Sequence, residues 1–266
     1  MPKARAKPNI KEDRHFVTAL ARGLDVLSCF RSGDKLLGNQ ELAERSQLPK
    51  STVSRLTYTL TKLGYLHYEE AAGKYRLGTA TMALGSAMLS KLDIRQLARP
   101  LMQELADFSS ATVSLGMRDR LSMLYLENCR SQAPLTLRLD VGARIPIAET
   151  AMGRAYLAFA AAGERQEILE RVRDADPTSW PRVQQDIAQT LAEHQRLGCC
   201  TSFGDWQPEV NAIALAFKPV DGATTLSINC GGPAFKLSRK FLLAEVQPRL
   251  TELVGRLQHM LGASHR

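Results

Sequence analysis

The stretch from Asn39 to Gly64, NQELAERSQLPKSTVSRLTYTLTKLG, constrains this chain more than any other. In its second half Val53, Leu56, Leu60 and Leu63 recur at helical period, forming an apolar stripe. At about 100° per residue the stripe fills a sector of roughly 80°. The opposite sector carries Ser51, Ser54, Arg55, Tyr58 and Lys62, flanked by Thr57 and Thr61, with no carboxylate among them. One face is built to pack, and the other offers neutral and cationic donors only. A helix from Lys50 to Leu63 is about 21 Å long, enough to lie in a DNA major groove.

The preceding residues predict a partner helix, Gln40–Arg45, capped by Asn39 and carrying Glu41 in its first turn, where the helix dipole favours an anion. Leu42 and Ala43 face inward, Ser46-Gln47-Leu48 makes the turn, and Pro49 sets φ where the second helix begins. Together they make a helix-turn-helix. The plainer alternative is an amphipathic hairpin whose polar face is simply solvated. Such a face usually mixes acids with bases, and this one does not.

Beyond Gly64, Tyr65–Glu69 and Lys74–Leu77 predict two short strands around a glycine-containing loop. A hairpin directly after a helix-turn-helix makes a winged helix. Lys74 and Arg76 alternate with Tyr75 and Leu77, so the two cations share a face that can reach phosphates or a minor groove. A first helix is expected over Phe16–Phe30, with Phe16, Leu20, Leu24, Leu27 and Phe30 on one side. Residues 1–15 form a basic, proline-containing arm, compatible equally with a frayed terminus and with phosphate contact.

Charge is distributed to match. The chain carries a net +8 over 266 residues, of which +6 falls on residues 1–90. That is where phosphate binding needs it. An apolar content of 44% suits a soluble globular protein, and no apolar run approaches the length of a membrane span. The N-terminus lacks the apolar core of a secretory signal, so a cytoplasmic location is expected. The five cysteines, Cys29, Cys129, Cys199, Cys200 and Cys230, form no CxxC and are expected to be reduced core or pocket residues rather than metal ligands.

Residues 79–92 are expected to form a linker helix. It carries Ala80, Ala83, Leu84, Ala87 and Met88 on a small apolar face, suited either to self-association or to packing within the monomer. Residues 93–266 then predict a second domain. Its elements are a helix Ile94–Phe108 interrupted or restarted at Pro100, and strands at Ala111–Met117, Leu121–Asn128 and Leu135–Leu139. Helices follow at Ala151–Ala160, capped by Thr150, at Gly163–Arg173, and from Pro181 to Leu197. Strands Val210–Phe217 and Thr224–Cys230 flank an Asp221-Gly222 turn, and a C-terminal helix is kinked or restarted at Pro248. Runs of strands flanked by helices predict an α+β fold with an antiparallel sheet.

With these segments in order, the chain resembles the IclR family of bacterial transcription regulators over nearly its whole length. The resemblance is carried by ARGLDVLSCF, by NQELAERSQLPKSTVSRLTYTLTKLGYL and by the GKYRLG wing. In the second domain it is carried by IPIAETAMGRAYLA, TSFGD, VNAIALAFKPV and LSINCGGPAFKLS. It implies a winged helix-turn-helix over residues 16–78, a linker helix, and a GAF-like effector domain over 93–266. It also implies dimers, or dimers of dimers, on palindromic operators that control a catabolic operon. The positions implied for DNA are Lys50, Ser51, Thr52, Ser54, Arg55, Tyr58, Lys62, Lys74 and Arg76. Those implied for a small effector, a carboxylate or aromatic acid, are Leu137, Ala151, Met152, Asp205, Asn229 and Gly231. Where many relatives have SxSGP, this chain has Asn229-Cys230-Gly231-Gly232-Pro233.

No cofactor is implied. A thiol hydrolase is the rival reading, but no histidine lies in a catalytic context and no GxSxG, P-loop or HExxH occurs. A non-specific DNA-compacting protein has no use for the second domain.

Overall fold

A computed structural model describes residues 15–31, 33–89, 94–132, 139–219 and 224–263. The chain divides into two compact units, Met1–Leu92 and Asp93–Arg266. The first unit contains α1 (Thr18–Leu27), α2 (Asn39–Ser46) and α3 (Lys50–Lys62). The antiparallel strands β1 (Leu66–Glu69) and β2 (Lys74–Leu77) follow, and then α4 (Thr79–Leu89). A lone bridge from Leu37 to Tyr75 adds a third short rung to the hairpin. Val26, Leu37, Leu42, Val53, Leu60 and Leu66 form the core, and it is the α2–α3 pair that this core positions.

Four local expectations are corrected. The first helix is shorter than Phe16–Phe30, and Phe16, Leu20 and Leu24 point to solvent while Val26 and Cys29 face inward. Helical period reveals a stripe but not which of two apolar sides is buried. Leu63 is 61% exposed, because the chain reverses at Gly64 with φ 76° just after α3 ends. Thr57, expected beside the polar face, is fully buried. Its hydroxyl is satisfied by the Val53 carbonyl at 3.0 Å and by Asn39 Oδ1 at 3.2 Å. Asn39 therefore ties α2 to α3 instead of capping α2. The free N–H of Gly38 is met by the Glu41 carboxylate at 2.8 Å.

The second unit begins with α5 (Ile94–Ser109), then β3 (Thr112–Asp119), β4 (Ser122–Arg130) and β5 (Arg144–Pro146). Three helices follow, α6 (Ala151–Phe159), α7 (Ala162–Ala175) and α8 (Trp180–Leu197). The chain then forms β6 (Cys200–Phe203), β7 (Val210–Phe217), β8 (Leu226–Pro233), α9 (Arg239–Phe241) and α10 (Gln247–Ala263). The strands make one antiparallel sheet in the order β5-β4-β3-β8-β7-β6. Helix α5 runs through Pro100 without interruption, because Ala98, Leu101, Met102 and Leu105 hold it to the sheet on both sides of the lost hydrogen bond. Pro248 sits in the first turn of α10, directly after a π turn at Leu242–Val246. The expected strand at Leu135–Leu139 and the Asp221-Gly222 turn lie mostly or wholly outside the described residues. Strands β5 and β6 were not anticipated; three and four residues are too few to show alternation.

The two faces of this sheet differ in chemistry. Val113, Leu115, Ile213, Ile228 and Cys230 point to the side covered by α5 and α10. Thr112, Ser114, Gly116, Ser227, Asn229, Gly231, Ala212 and Ala214 point to the side covered by α6, outside which lie α7 and α8. No described helix is long and apolar enough to cross a membrane.

Candidate nucleic-acid interface and ligand site

Helix α3 presents Lys50, Ser51, Ser54, Arg55, Tyr58 and Lys62 to solvent, with Thr52 half-buried behind them. The Arg55 guanidinium is exposed and has no hydrogen bond or ion pair to the described residues, and Tyr58 is 64% exposed with the Lys62 ammonium 5.5 Å from its ring centre. Ser54 accepts from the Asn39 amide at 3.3 Å, and Lys50 reaches Gln40 Oε1 at 3.5 Å, so both are oriented by α2. On the wing, Arg76 is exposed and lies 3.9 Å from Glu69. Lys74 pairs with Glu41 at 3.1 Å and fastens β2 to the first turn of α2. Its charge is partly spent within the fold.

The α6 face of the sheet holds a second polar constellation. The Tyr125 hydroxyl is hydrogen-bonded to Ser114 and Asn229, and burial pushes its pKa up to about 12, so it stays a neutral donor. Thr112 Oγ1, Ser227 Oγ and Asn229 Oδ1 are buried with no hydrogen-bond partner among the described residues. Buried polar atoms left unpaired in this way are uncommon. Helix α6 begins over this face, with Ala151 and Met152 fully buried in its first turn and Thr150 accepting from the Gly153 N–H at 3.3 Å. Gly153 is required there, since a Cβ would lie 2.0 Å from the Ile147 carbonyl oxygen. A helix N-terminus above neutral hydroxyls and an amide is suited to a small anion.

Asn229 and Gly231 sit on β8 within this face, and Gly231 opposes Ala212, where a side chain would crowd the strand. Asp205 stands in the turn after β6, but its carboxylate accepts from Arg154 Nη1 at 2.5 Å. Arg154 is only 4% exposed and also donates to the carbonyls of Ala148 and Thr201, with Asp186 3.6 Å away. Leu137 lies outside the described residues.

Comparison with known proteins now adds to the geometry. Residues 19–70 match the model of the IclR helix-turn-helix domain. Residues 86–257 match that of the bacterial transcriptional regulator IclR C-terminal domain. The chain belongs to the IclR family. It is 35% identical to the HTH-type transcriptional regulator TsaQ1/TsaQ2 of Comamonas testosteroni, over 94% of this chain and 90% of that one. An IclR-family transcriptional regulator from Brucella abortus has 43% identity, a TM-score of 0.80 and 96% coverage of both chains. An IclR homologue from Microbacterium hydrocarbonoxydans, complexed with 4-hydroxybenzoate, shares the fold at a TM-score of 0.73 and 22% identity, over 92% of this chain and 99% of that one.

Membership of the IclR family makes the chain a transcription regulator with a helix-turn-helix DNA-binding domain, and the family's members are regulators rather than enzymes. The thiols agree with that. Burial pushes Cys199 and Cys230 up to about 11 and Cys200 up to about 12, the reverse of an activated nucleophile. Sequence reasoning missed Thr112, Ser114, Tyr125, Ser227 and Arg154. A usable signal was present for two of them, Thr112 and Ser114, since Thr-Val-Ser-Leu-Gly from residue 112 alternates small or polar with apolar residues in a strand covered on both faces.

Proposed function

We propose that this IclR-family chain is a sequence-specific regulator of a catabolic operon whose DNA affinity is set by a small carboxylate or aromatic acid. In this reading α3 enters the major groove, Arg55 and Tyr58 meet base edges, and Lys50, Ser51, Thr52, Ser54 and Lys62 serve mainly phosphates. Arg76, and Lys74 when it leaves Glu41, reach the flanking backbone. The effector lies on the α6 face against Ala151, Met152, Asn229 and Gly231, with Asp205 acting through Arg154.

The observation that carries the effector half is the set of unpartnered buried atoms at Thr112, Ser227 and Asn229 in front of α6. The relative complexed with 4-hydroxybenzoate supports an aromatic acid as the class. Self-association is part of the reading, because one recognition helix covers about half a site. The exposed apolar residues Val17, Leu20 and Leu24 of the α1 region, and Met82 and Leu84 of α4, supply surface for a second copy on a palindromic operator.

The test is to select DNA fragments with the purified protein, with and without added acids. Arg55→Ala is expected to weaken specific binding by about 1–3 kcal/mol. Asn229→Ala is expected to keep ligand-free DNA affinity within about twofold while abolishing the response, since a 20-fold response needs only about 1.8 kcal/mol of coupling. Selection of no common sequence, or full operator affinity in a folded Arg55→Ala protein, overturns the reading.

A further inference from the structure

Gly116 on β3 has no side chain, and a Cβ built there lies 2.6 Å from Met152 Sδ and 3.3 Å from Met152 Cε. Met152 is fully buried, so its thioether fills the hollow that the glycine leaves on the α6 face. Directly across the ladder from Gly116 stands Ser227, whose other neighbour is Ala216 on β7. Ser227 is thus flanked by two of the smallest residues. It is wholly buried, and its hydroxyl has no hydrogen-bond partner among the described residues.

An unmade hydrogen bond at that depth is costly to the fold, which implies a partner that arrives from outside. A second unpaired atom, Asn229 Oδ1, lies two residues further along the same strand and face. Two residues along a strand span about 6.7 Å. A six-membered ring with substituents on opposite carbons fits that spacing; Asn229 Oδ1 only accepts, so an ionised acid group at that end takes its hydrogen bonds from the N–H groups of the first turn of α6. The chemistry at the Ser227 end is that of a neutral group. The next residue of β3 on this face, Arg118, is committed to the Tyr156 hydroxyl at 3.0 Å and to Glu164 at 3.3 Å. Lys218, beyond Ala216, is exposed. Among the described residues nothing buried there can neutralise a second acid group.

We propose that Ser227 is the distal anchor of the ligand site, taking the ring hydroxyl of a hydroxylated aromatic acid once Met152 swings off Gly116. The assignment rests on the reading of the α6 face as the effector site. Methionine suits the gating role, being unbranched and easily re-packed. Met152 closes the hollow when the site is empty, and the ring takes its place when the site is filled.

Calorimetric titration of the full chain with benzoate and 4-hydroxybenzoate tests this. The unaltered protein is expected to prefer 4-hydroxybenzoate by about tenfold, the worth of one good hydrogen bond. Ser227→Ala is expected to bring the two acids within about twofold of each other while leaving benzoate affinity unchanged. Met152→Ala is expected to tighten both acids together, since nothing need be displaced, and to admit 2-naphthoate, which the unaltered protein rejects. A cooperative thermal unfolding transition in each variant checks that it is folded. An unchanged preference in Ser227→Ala overturns the anchor and leaves the effector site standing, as does equal loss of both acids. An unaltered protein that binds neither acid overturns the aromatic-acid reading together with this one.

Discussion

Arg154 and Asp205 are ion-paired between the second turn of α6 and the turn that follows β6. The guanidinium is almost wholly buried and holds three elements together, through Asp205, the Thr201 carbonyl and the Ala148 carbonyl. Removing the carboxylate strands a buried charge whose other acid, Asp186, stands off at 3.6 Å. Asp205→Ala is therefore expected to cost about 1–3 kcal/mol of stability, discounted from a fully buried pair because Asp205 is partly exposed. Asp205→Asn, which can still accept from Arg154, should lose less. Denaturant unfolding of both variants checks the order, and equal stability of Asp205→Ala and the unaltered chain rules the role out.

Thr57 locks the angle between the two helices of the DNA-binding motif. Its hydroxyl satisfies Asn39, and Asn39 in turn orients Ser54 on the exposed face. Thr57→Val keeps the volume but leaves the Asn39 amide short of a partner. A loss of about 1–2 kcal/mol is expected, together with weaker operator binding even though Thr57 touches no DNA. Thermal unfolding and gel-shift titration read the two effects. If the valine variant binds DNA normally, the lock does not matter for recognition.

Leu20 and Leu24 are 62% and 55% exposed on the outer side of α1. A Leu20→Glu, Leu24→Glu double variant should fold normally, since neither side chain is in the core. In sedimentation at micromolar concentration it is expected to shift toward monomer and to bind a two-half-site operator more weakly. Unaltered sedimentation places the self-association surface elsewhere.

Asp34 accepts both Arg45 side-chain nitrogens and the Arg31 N–H, and the bond to Arg45 is the main reason its pKa falls below the ordinary 3.8. A carboxyl whose pKa is lowered on folding contributes stability that is complete above its unfolded value and lost as pH drops toward the folded one. The DNA-binding unit is thus expected to weaken below about pH 4, and Asp34→Asn to flatten that limb of the pH profile. Identical acid sensitivity in the two proteins excludes this pair as a contributor.

How much of this was legible in the sequence depended on whether one local signal decided the outcome. The α3 stripe and the acid-free face opposite it are written in residue order, as is the wing. Leu63 and Thr57 were misplaced because exposure there is settled by a reversal at Gly64 and by the hydrogen bond that Thr57 donates to Asn39, 18 residues earlier. The polar face beneath α6 is assembled from β3, β4 and β8, whose cross-strand register brings Ser114, Tyr125 and Asn229 together. No window of sequence contains all three. Arg154 is a single cation in a helical stretch, and only the positions of Thr201 and Asp205 reveal that it is buried.

The six-stranded sheet ends in its two shortest members, β5 with three residues and β6 with four. A sheet margin offers main-chain donors and acceptors to any passing extended chain, and brief margins offer few. Arg144 on β5 adds a charge there, held by Asp119 at 2.7 Å. The domain is poorly suited to growing by strand addition, which leaves side-chain contacts as the route for the self-association proposed above. Such contacts can be tuned residue by residue, and can be made or broken without disturbing the ladder that carries the polar face beneath α6.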